Sequence, residues 1–168
     1  LLVLDRADEA TREFLIEAAG HDGYLAAAAS TRLVEVSHGD LGLSRNSGIA
    51  SARAEVVGVL DADNLVSRRW IVSAHAMCVD DPGVVVRPEH VVTFEARRTV
   101  WHVVPSDDPR FRPEHLYAYN YWDAFSMARR SVYTDHPYTE TGRTTGFGPE
   151  DWHWSAETVH AGLRHVTA

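Results

Sequence analysis

A repeated change of period constrains this chain more than any other feature. Apolar runs of four or five residues alternate with stretches whose apolar side chains recur every three or four positions. Residues 1–4, 33–36, 56–60 and 84–87 are too short for helices and read as buried strands. Between them, residues 8–19 carry Thr11, Phe14, Leu15 and Ala18 at helical spacing, with Gly20 as the stop. Residues 44–53 form a second helical stretch with Ser44 as its N-cap. Residues 68–80 form a third, with Ile71, Ala74, His75 and Cys78 on one stripe, where His75 and Cys78 read as core side chains. Strands alternating with helices predict an α/β fold, a mostly parallel sheet with helices on both faces.

The later part is less regular. Residues 91–94, 101–104 and 125–129 read as strands, and residues 106–113, punctuated by Asp and Pro, as a surface loop. Residues 138–149 are rich in Thr and Gly and read as a mobile loop. A last helix begins near Pro149, with Trp152, Ala156, Val159 and Leu163 as its apolar face and Gly162 as its terminator. The one low-complexity stretch is residues 26–29, and no linker is visible. We expect one domain over residues 1–168, with an α/β half (1–95) and an irregular C-terminal half (96–168).

Composition narrows the chemistry. All 16 basic residues are Arg, which excludes any mechanism needing a lysine. A net charge of −8 argues against broad nucleic-acid binding but not against a nucleotide held through a metal. Cys78 is the only cysteine, so neither an internal disulfide nor a cysteine zinc site is available. No apolar run approaches the ~18 residues of a membrane-crossing helix, and no secretory leader is visible, so the cytoplasm is the expected compartment.

In open α/β sheets, ligands bind beyond the carboxyl ends of the strands. Asp5 closes the first predicted strand, and Asp61-Ala62-Asp63 closes the third. Residues i and i+2 of an extended segment share a side, so Asp61 and Asp63 can face one ion. Hard oxygen ligands suit Mg²⁺ or Mn²⁺, which also contact substrate phosphates. A solvated turn helped by Asn64 accounts for the same residues without an ion. Two chemistries use such an Asp-x-Asp. Phosphoryl transfer of the haloacid-dehalogenase type usually has Thr or Val where this chain has Leu65, and it needs a lysine. The other holds a metal on the diphosphate of a nucleotide-sugar.

The context favours the second. Gly42-Leu43-Ser44-Arg45-Asn46-Ser47-Gly48-Ile49-Ala50, then the run 56–60, then Asp61-Ala62-Asp63, resembles the core of family-2 glycosyltransferases. The run 1–4 with Asp5 resembles their second strand and its nucleotide-binding acid, and Gly146-Phe147-Gly148-Pro149-Glu150-Asp151-Trp152 resembles their Glu-Asp element. The resemblance covers nearly the whole chain. It implies a GT-A-type, Rossmann-like fold and an inverting, metal-dependent transferase of cell-surface polysaccharide or glycoconjugate synthesis. Its partners would be a nucleotide-diphosphate sugar donor and a sugar or glycolipid acceptor, with no nucleic acid. Residues 1–95 would bind the donor, and 96–168 the acceptor. Peripheral association with the inner face of the membrane is a further expectation. The family's first strand has no counterpart here, so we expect about 30–60 further residues upstream, enough for a strand and its helix.

The resemblance also assigns roles. Asp5 would sit by the base or ribose, Asp61 by the ribose and metal, and Asp63 would be the main metal ligand. Arg45 and Asn46, near a helix N-terminus, would favour the phosphates; alternatively Arg45 pairs with an acid and Asn46 caps. Asp151 would be the general base and Glu150 would orient it or bond the acceptor; alternatively both acids only complement the helix dipole. Tyr119, Tyr121 and Trp122 suit either a sugar face or a core. His165 is a poor candidate for the C-terminal metal-site histidine of some members. A nucleotide-sugar-binding domain without transferase activity is the alternative function, and an aspartate-based phosphatase a lesser one.

Overall fold

The computed structural model describes residues 1–20, 28, 30–94, 98–142, 146 and 148–168. Parts of the predicted low-complexity stretch (26, 27, 29) and of the predicted mobile loop (143–145, and Phe147 of the Glu-Asp element) lie outside the described residues. The chain forms two compact units, one of residues 1–53 and 138–150, the other of residues 54–137 and 151–168.

In the first unit, β1 (Leu2–Asp5) and β2 (Leu33–Val36) pair in parallel, Leu2 opposite Leu33 and Asp5 opposite Val36. Between them runs α1 (Glu9–Ala19), capped by the Asp8 carboxylate, which accepts from the Thr11 N–H. After β2 comes α2 (Leu41–Ser51). Leu4, Ala18 and Ile49 are the buried apolar side chains of this unit's helices and strands.

The second unit centres on a four-stranded sheet ordered β3 (Val56–Val59), β7 (Ser126–Arg129), β4 (Val84–Arg87), β8 (Arg164–Thr167). Helix α3 (Arg68–Asp80), capped by Ser67, buries Trp70, Ala74 and Cys78 against Val84, Val86, Phe125, Met127 and Val166. Alternation along β4 turns Arg87 the other way, where its guanidinium bonds Ser155 of α5 (Glu150–His160). A hairpin of β5 (His90–Phe94) and β6 (Arg98–His102) follows β4, and a short α4 (Arg130–Asp135) follows β7. Helix α5 ends where Gly162, at φ +89°, and Leu163 donate back to Val159 O and Thr158 O, a Schellman closure.

The mostly parallel, doubly covered sheet is not what forms, and the GT-A-type, Rossmann-like sheet implied by the resemblance falls with it. The described strands make three short sheets, and three of the five pairings are antiparallel. The cause is β7, which runs between β3 and β4 and against both. Ser126, Met127 and Ala128 are buried, so this strand's backbone needs a neighbour on each side. The β5–β6 hairpin is antiparallel because its short connection cannot make a parallel crossover.

Other expectations change locally. Helix α2 begins at Leu41 with Asp40 as its cap, so Ser44 lies inside it. On α3 the buried stripe is Trp70, Ala74 and Cys78, leaving Ile71 and His75 exposed. The strand expected at 101–104 lies at Arg98–His102. Strand β8 has no counterpart among the expected strands; it begins directly after Leu163, the last residue of the expected apolar helix face.

Candidate functional site

In the first unit the predicted donor residues hold the chain to itself. Asp5, at the end of β1, accepts from the Gly39 N–H at 2.9 Å through Oδ1. Its Oδ2 accepts from the Asp40 N–H at 3.1 Å and the Ser44 hydroxyl at 2.7 Å. Burial alone would raise this carboxyl, but the bonds from Gly39, Ser44 and Asp40 outweigh it and hold the group below the ordinary range. The His38 backbone N–H also lies on this carboxylate, so its acceptor positions are taken up within the unit.

The segment from Tyr138 to Glu150 is fixed over α2 at four places, which corrects the mobile-loop reading for its described residues. Asn46 makes a reciprocal pair with the Tyr138 backbone, donating to its carbonyl at 2.7 Å and accepting from its N–H at 2.9 Å. Asp40 accepts from the Thr141 N–H at 2.8 Å and hydroxyl at 2.6 Å while capping α2. The Leu41 N–H donates to Gly146 O at 2.9 Å. Arg45 meets Glu150 in an ion pair at 2.7 Å, and the two side chains are only 6% and 3% exposed. Glu150 also accepts from the Gly148 N–H at 3.2 Å. Arg45 therefore pairs with an acid, and Asn46 binds backbone within this unit.

Two glycines make the approach possible. A Cβ on Gly42 would stand 2.3 Å from Thr139 O. Gly146 adopts φ +70°, and a Cβ there would stand 2.0 Å from Gly39 O.

In the second unit, β3 ends at Val59, and Asp61 to Asn64 form a turn closed by the Asn64 N–H to Asp61 O bond at 3.1 Å. The two acids are thus presented by a turn rather than by strand alternation. Asp61 is half-buried and Asp63 exposed. Among the described residues, no group of three or more His, Cys, Asp or Glu is placed to hold a metal by itself. A divalent cation shared with substrate phosphates needs only one or two carboxylates, and this turn supplies hard oxygens of that kind.

Asp63 opens on a groove of about 590 Å³. Its floor is Trp70 and Phe125, whose rings lie 4.2 Å apart, and its walls include Glu89, Asp123 and the whole of β5. Asp61 and Asp151 are not among its lining residues. Asp151 lies half-buried in the first turn of α5, where Oδ2 accepts from the Asn120 amide at 3.4 Å. Sequence reading passed over Glu89, His90 and Asp123, since nothing in their spacing joins them to Asp63.

Behind the groove lies a buried polar cluster. Arg87, 1% exposed, donates to Asp123 O at 2.6 Å, Phe125 O at 3.2 Å, Ser155 Oγ at 2.8 Å and His165 Nδ1 at 3.3 Å. Since Nδ1 accepts, the imidazole proton sits on Nε2, which donates to Thr158 Oγ1 at 2.9 Å. Burial, and then the Arg87 charge, push His165 well below the ordinary histidine value. Fully buried, neutral and stacked on Trp122 at 4.2 Å, His165 is a core residue. Trp122 is likewise buried, while Tyr119 is exposed and Tyr121 half-buried. Cys78 is buried too, and that pushes its thiol up to about 11.

Compared with known proteins, the chain matches no protein-family model and no curated protein sequence. No helix among the described residues is long and apolar enough to cross a membrane.

Proposed function

We propose that this chain binds a nucleotide-diphosphate sugar through a divalent cation and transfers the sugar, with inversion, to an acceptor hydroxyl. The observation that carries this reading is the Asp61–Asn64 turn closing β3, from which Asp63 opens on a large groove of mixed polarity. The sequence text around Asn46, Asp63 and Asp151 supports it. Asp63, with Asp61, would hold Mn²⁺ or Mg²⁺ against the diphosphate. Bound there, the cation supplies Lewis-acid stabilisation of the leaving diphosphate. Asp5 contributes by fixing the backbone after β2 through the bonds from Gly39, Asp40 and Ser44. Arg45 and Asn46 contribute by fixing the Tyr138–Glu150 segment rather than by reaching a phosphate.

Asp151 takes the proton of the attacking hydroxyl, and Glu150, its neighbour in sequence, is a positioning residue anchored by Arg45. A second base is supported by one observation: Asp123 lines the same groove as Asp63. The same reading puts the enzyme in the cytoplasm, with peripheral association at the inner face of the membrane, serving polysaccharide or glycoconjugate assembly. A binding domain without transferase activity would use Asp63 equally but leave Asp151 only its bond from Asn120 and its place in the first turn of α5. An aspartate-based phosphatase would lack the lysine such chemistry needs.

A thermal-shift panel of UDP-, GDP- and dTDP-sugars with and without Mn²⁺ tests the reading. It expects stabilisation by one donor only when Mn²⁺ is present, with slow release of free sugar from that donor. No metal-dependent shift with any donor overturns it. Phosphate release from a phosphomonoester moves the assignment to the phosphatase class.

A further inference from the structure

The β5–β6 hairpin sets His90 directly opposite His102. One step further from the turn, the Val103 N–H donates to Glu89 O at 2.9 Å, which makes Glu89 and Val103 a hydrogen-bonded pair of the ladder. Antiparallel pairs alternate, so His90 and His102 occupy the next, non-hydrogen-bonded position, where opposed side chains stand closest on one face. Their ring centroids are 4.1 Å apart and the planes are tilted by 57°. Both residues are exposed, and so is the next pair on that face, Val92 with Val100. Glu89 adds a second feature. Its Oε2 lies 3.6 Å from His90 Nδ1, too long for a hydrogen bond but close enough to favour the proton on that nitrogen. His90 Nε2 then keeps its lone pair, the arrangement of a metal-ligating histidine whose other ring nitrogen is turned to a carboxylate.

We infer that His90 and His102 form a two-imidazole site for Zn²⁺ or a similar borderline divalent cation, oriented by Glu89 and completed by water or an added ligand. Two nitrogens on one tetrahedral zinc stand about 3.3 Å apart. Rings with centroids already 4.1 Å apart reach that spacing by rotation of exposed side chains, while the ladder fixes both backbones. Imidazole suits zinc, copper and nickel, whereas Mg²⁺ and Mn²⁺ suit carboxylates and water. The site therefore differs in ligand chemistry from the Asp61–Asn64 turn and does not rest on the transferase reading. A cation held there ties β5 to β6 and stabilises the folded hairpin by mass action.

The test titrates Zn²⁺ into the whole chain by calorimetry, with Mg²⁺ in large excess to occupy carboxylate sites. Zn²⁺ binding that persists under the excess is expected. His90→Gln and His102→Gln should each weaken it by about 10²-fold or more, because two linked ligands exceed either alone by at least that factor. Glu89→Gln should cost less, roughly tenfold, as for other groups that orient a ligating histidine. With Cu²⁺ in place of Zn²⁺, the electron paramagnetic resonance spectrum of the unsubstituted chain should show coupling to two imidazole nitrogens, and to one after either histidine is replaced. Both histidines are exposed, and far-UV circular dichroism checks that the variants keep the fold. Zn²⁺ binding that Mg²⁺ abolishes, that survives either histidine change, or that is absent from the start overturns the inference, as does a copper spectrum of the unsubstituted chain with fewer than two nitrogens. Mn²⁺-dependent donor binding is read separately, and its absence overturns the transferase reading alone.

Discussion

Replacing Asp63 by Ala removes one carboxylate from an exposed turn and almost no packing. Stability should stay within about 0.5 kcal/mol of wild type, as for other surface changes, while Mn²⁺-dependent donor binding disappears in a thermal-shift titration. Unchanged metal dependence would show that Asp63 is not a ligand. Asp151 and Glu150 separate in a different way. Asp151→Asn is nearly isosteric and should leave the unfolding midpoint in place, yet an amide cannot accept the acceptor's proton. Turnover at saturating donor should fall by roughly 10²-fold or more. Asp123→Asn is the parallel measurement, and a larger loss there would transfer the base to the groove. Glu150→Ala leaves the Arg45 cation in a buried site, 6% exposed on its side chain, without its carboxylate. Removing one member of such a pair costs about 3–5 kcal/mol, so urea unfolding, more than kcat, should report that change. A Glu150→Ala variant as stable as wild type would show that the pair does not hold this segment.

At the scale of elements, α2 and the Tyr138–Glu150 segment form one assembly. Asn46, Asp40, Leu41 and Arg45 each hold a different point of the segment: the Tyr138 backbone, Thr141, the Gly146 carbonyl and the Glu150 carboxylate. Gly146 is where a side chain is excluded on two counts. Its φ of +70° disfavours any L-residue, and a Cβ would fall 2.0 Å from Gly39 O. The left-handed backbone alone costs about 1–2 kcal/mol, and the clash adds to it. Gly146→Ala should therefore lower stability by at least about 2 kcal/mol in urea unfolding, whereas Gly142→Ala, also at positive φ but with no atom of the described residues within 4 Å of its Cβ position, should lose only the backbone part. Equal losses at the two positions would mean that the segment does not press on Gly39.

For the whole molecule, pH dependence comes from groups in both units. In the second, His165 titrates well below its unfolded value because burial and Arg87 disfavour the charged ring. A group with a lowered folded-state histidine value binds more protons when unfolded, so its contribution is complete above about pH 6.5 and declines as pH falls below it. In the first unit, burial works against the lowering of Asp5 and Asp40, but the bonds they accept dominate, from Gly39 and Ser44 for Asp5 and from Thr141 and Leu43 for Asp40. Their contribution is present above the ordinary carboxylate value near 3.9 and is lost as pH falls through the lower folded values. Unfolding midpoints should be flat between pH 7 and 8, decline from about 6.5, and drop again below about 4. His165→Gln should remove the first decline and leave the second. A midpoint that rises on acidification from pH 7 to 5 would contradict a neutral, buried His165.

The sequence by itself determined the elements whose causes are local. The runs at 33–36 and 84–87 and the helix at 68–80 were legible because apolar period and length are properties of contiguous residues, and so was Gly162 as the end of α5. The acids at the end of β3 were legible for the same reason. Sheet order was decided only by tertiary structure: β7 enters between β3 and β4 through hydrogen bonds to strands far away in sequence, which no local period records. The partners of the polar residues were decided there as well. Arg45 reads equally as a phosphate ligand or as the partner of an unnamed acid until Glu150, 105 residues later, lies against it. His165 reads as an unremarkable histidine until Arg87 and Thr158 fix its proton. Asp63 shares a groove with Asp123 because the folded chain brings their turns together, and the free energy that does so is burial of apolar surface summed over the whole second unit.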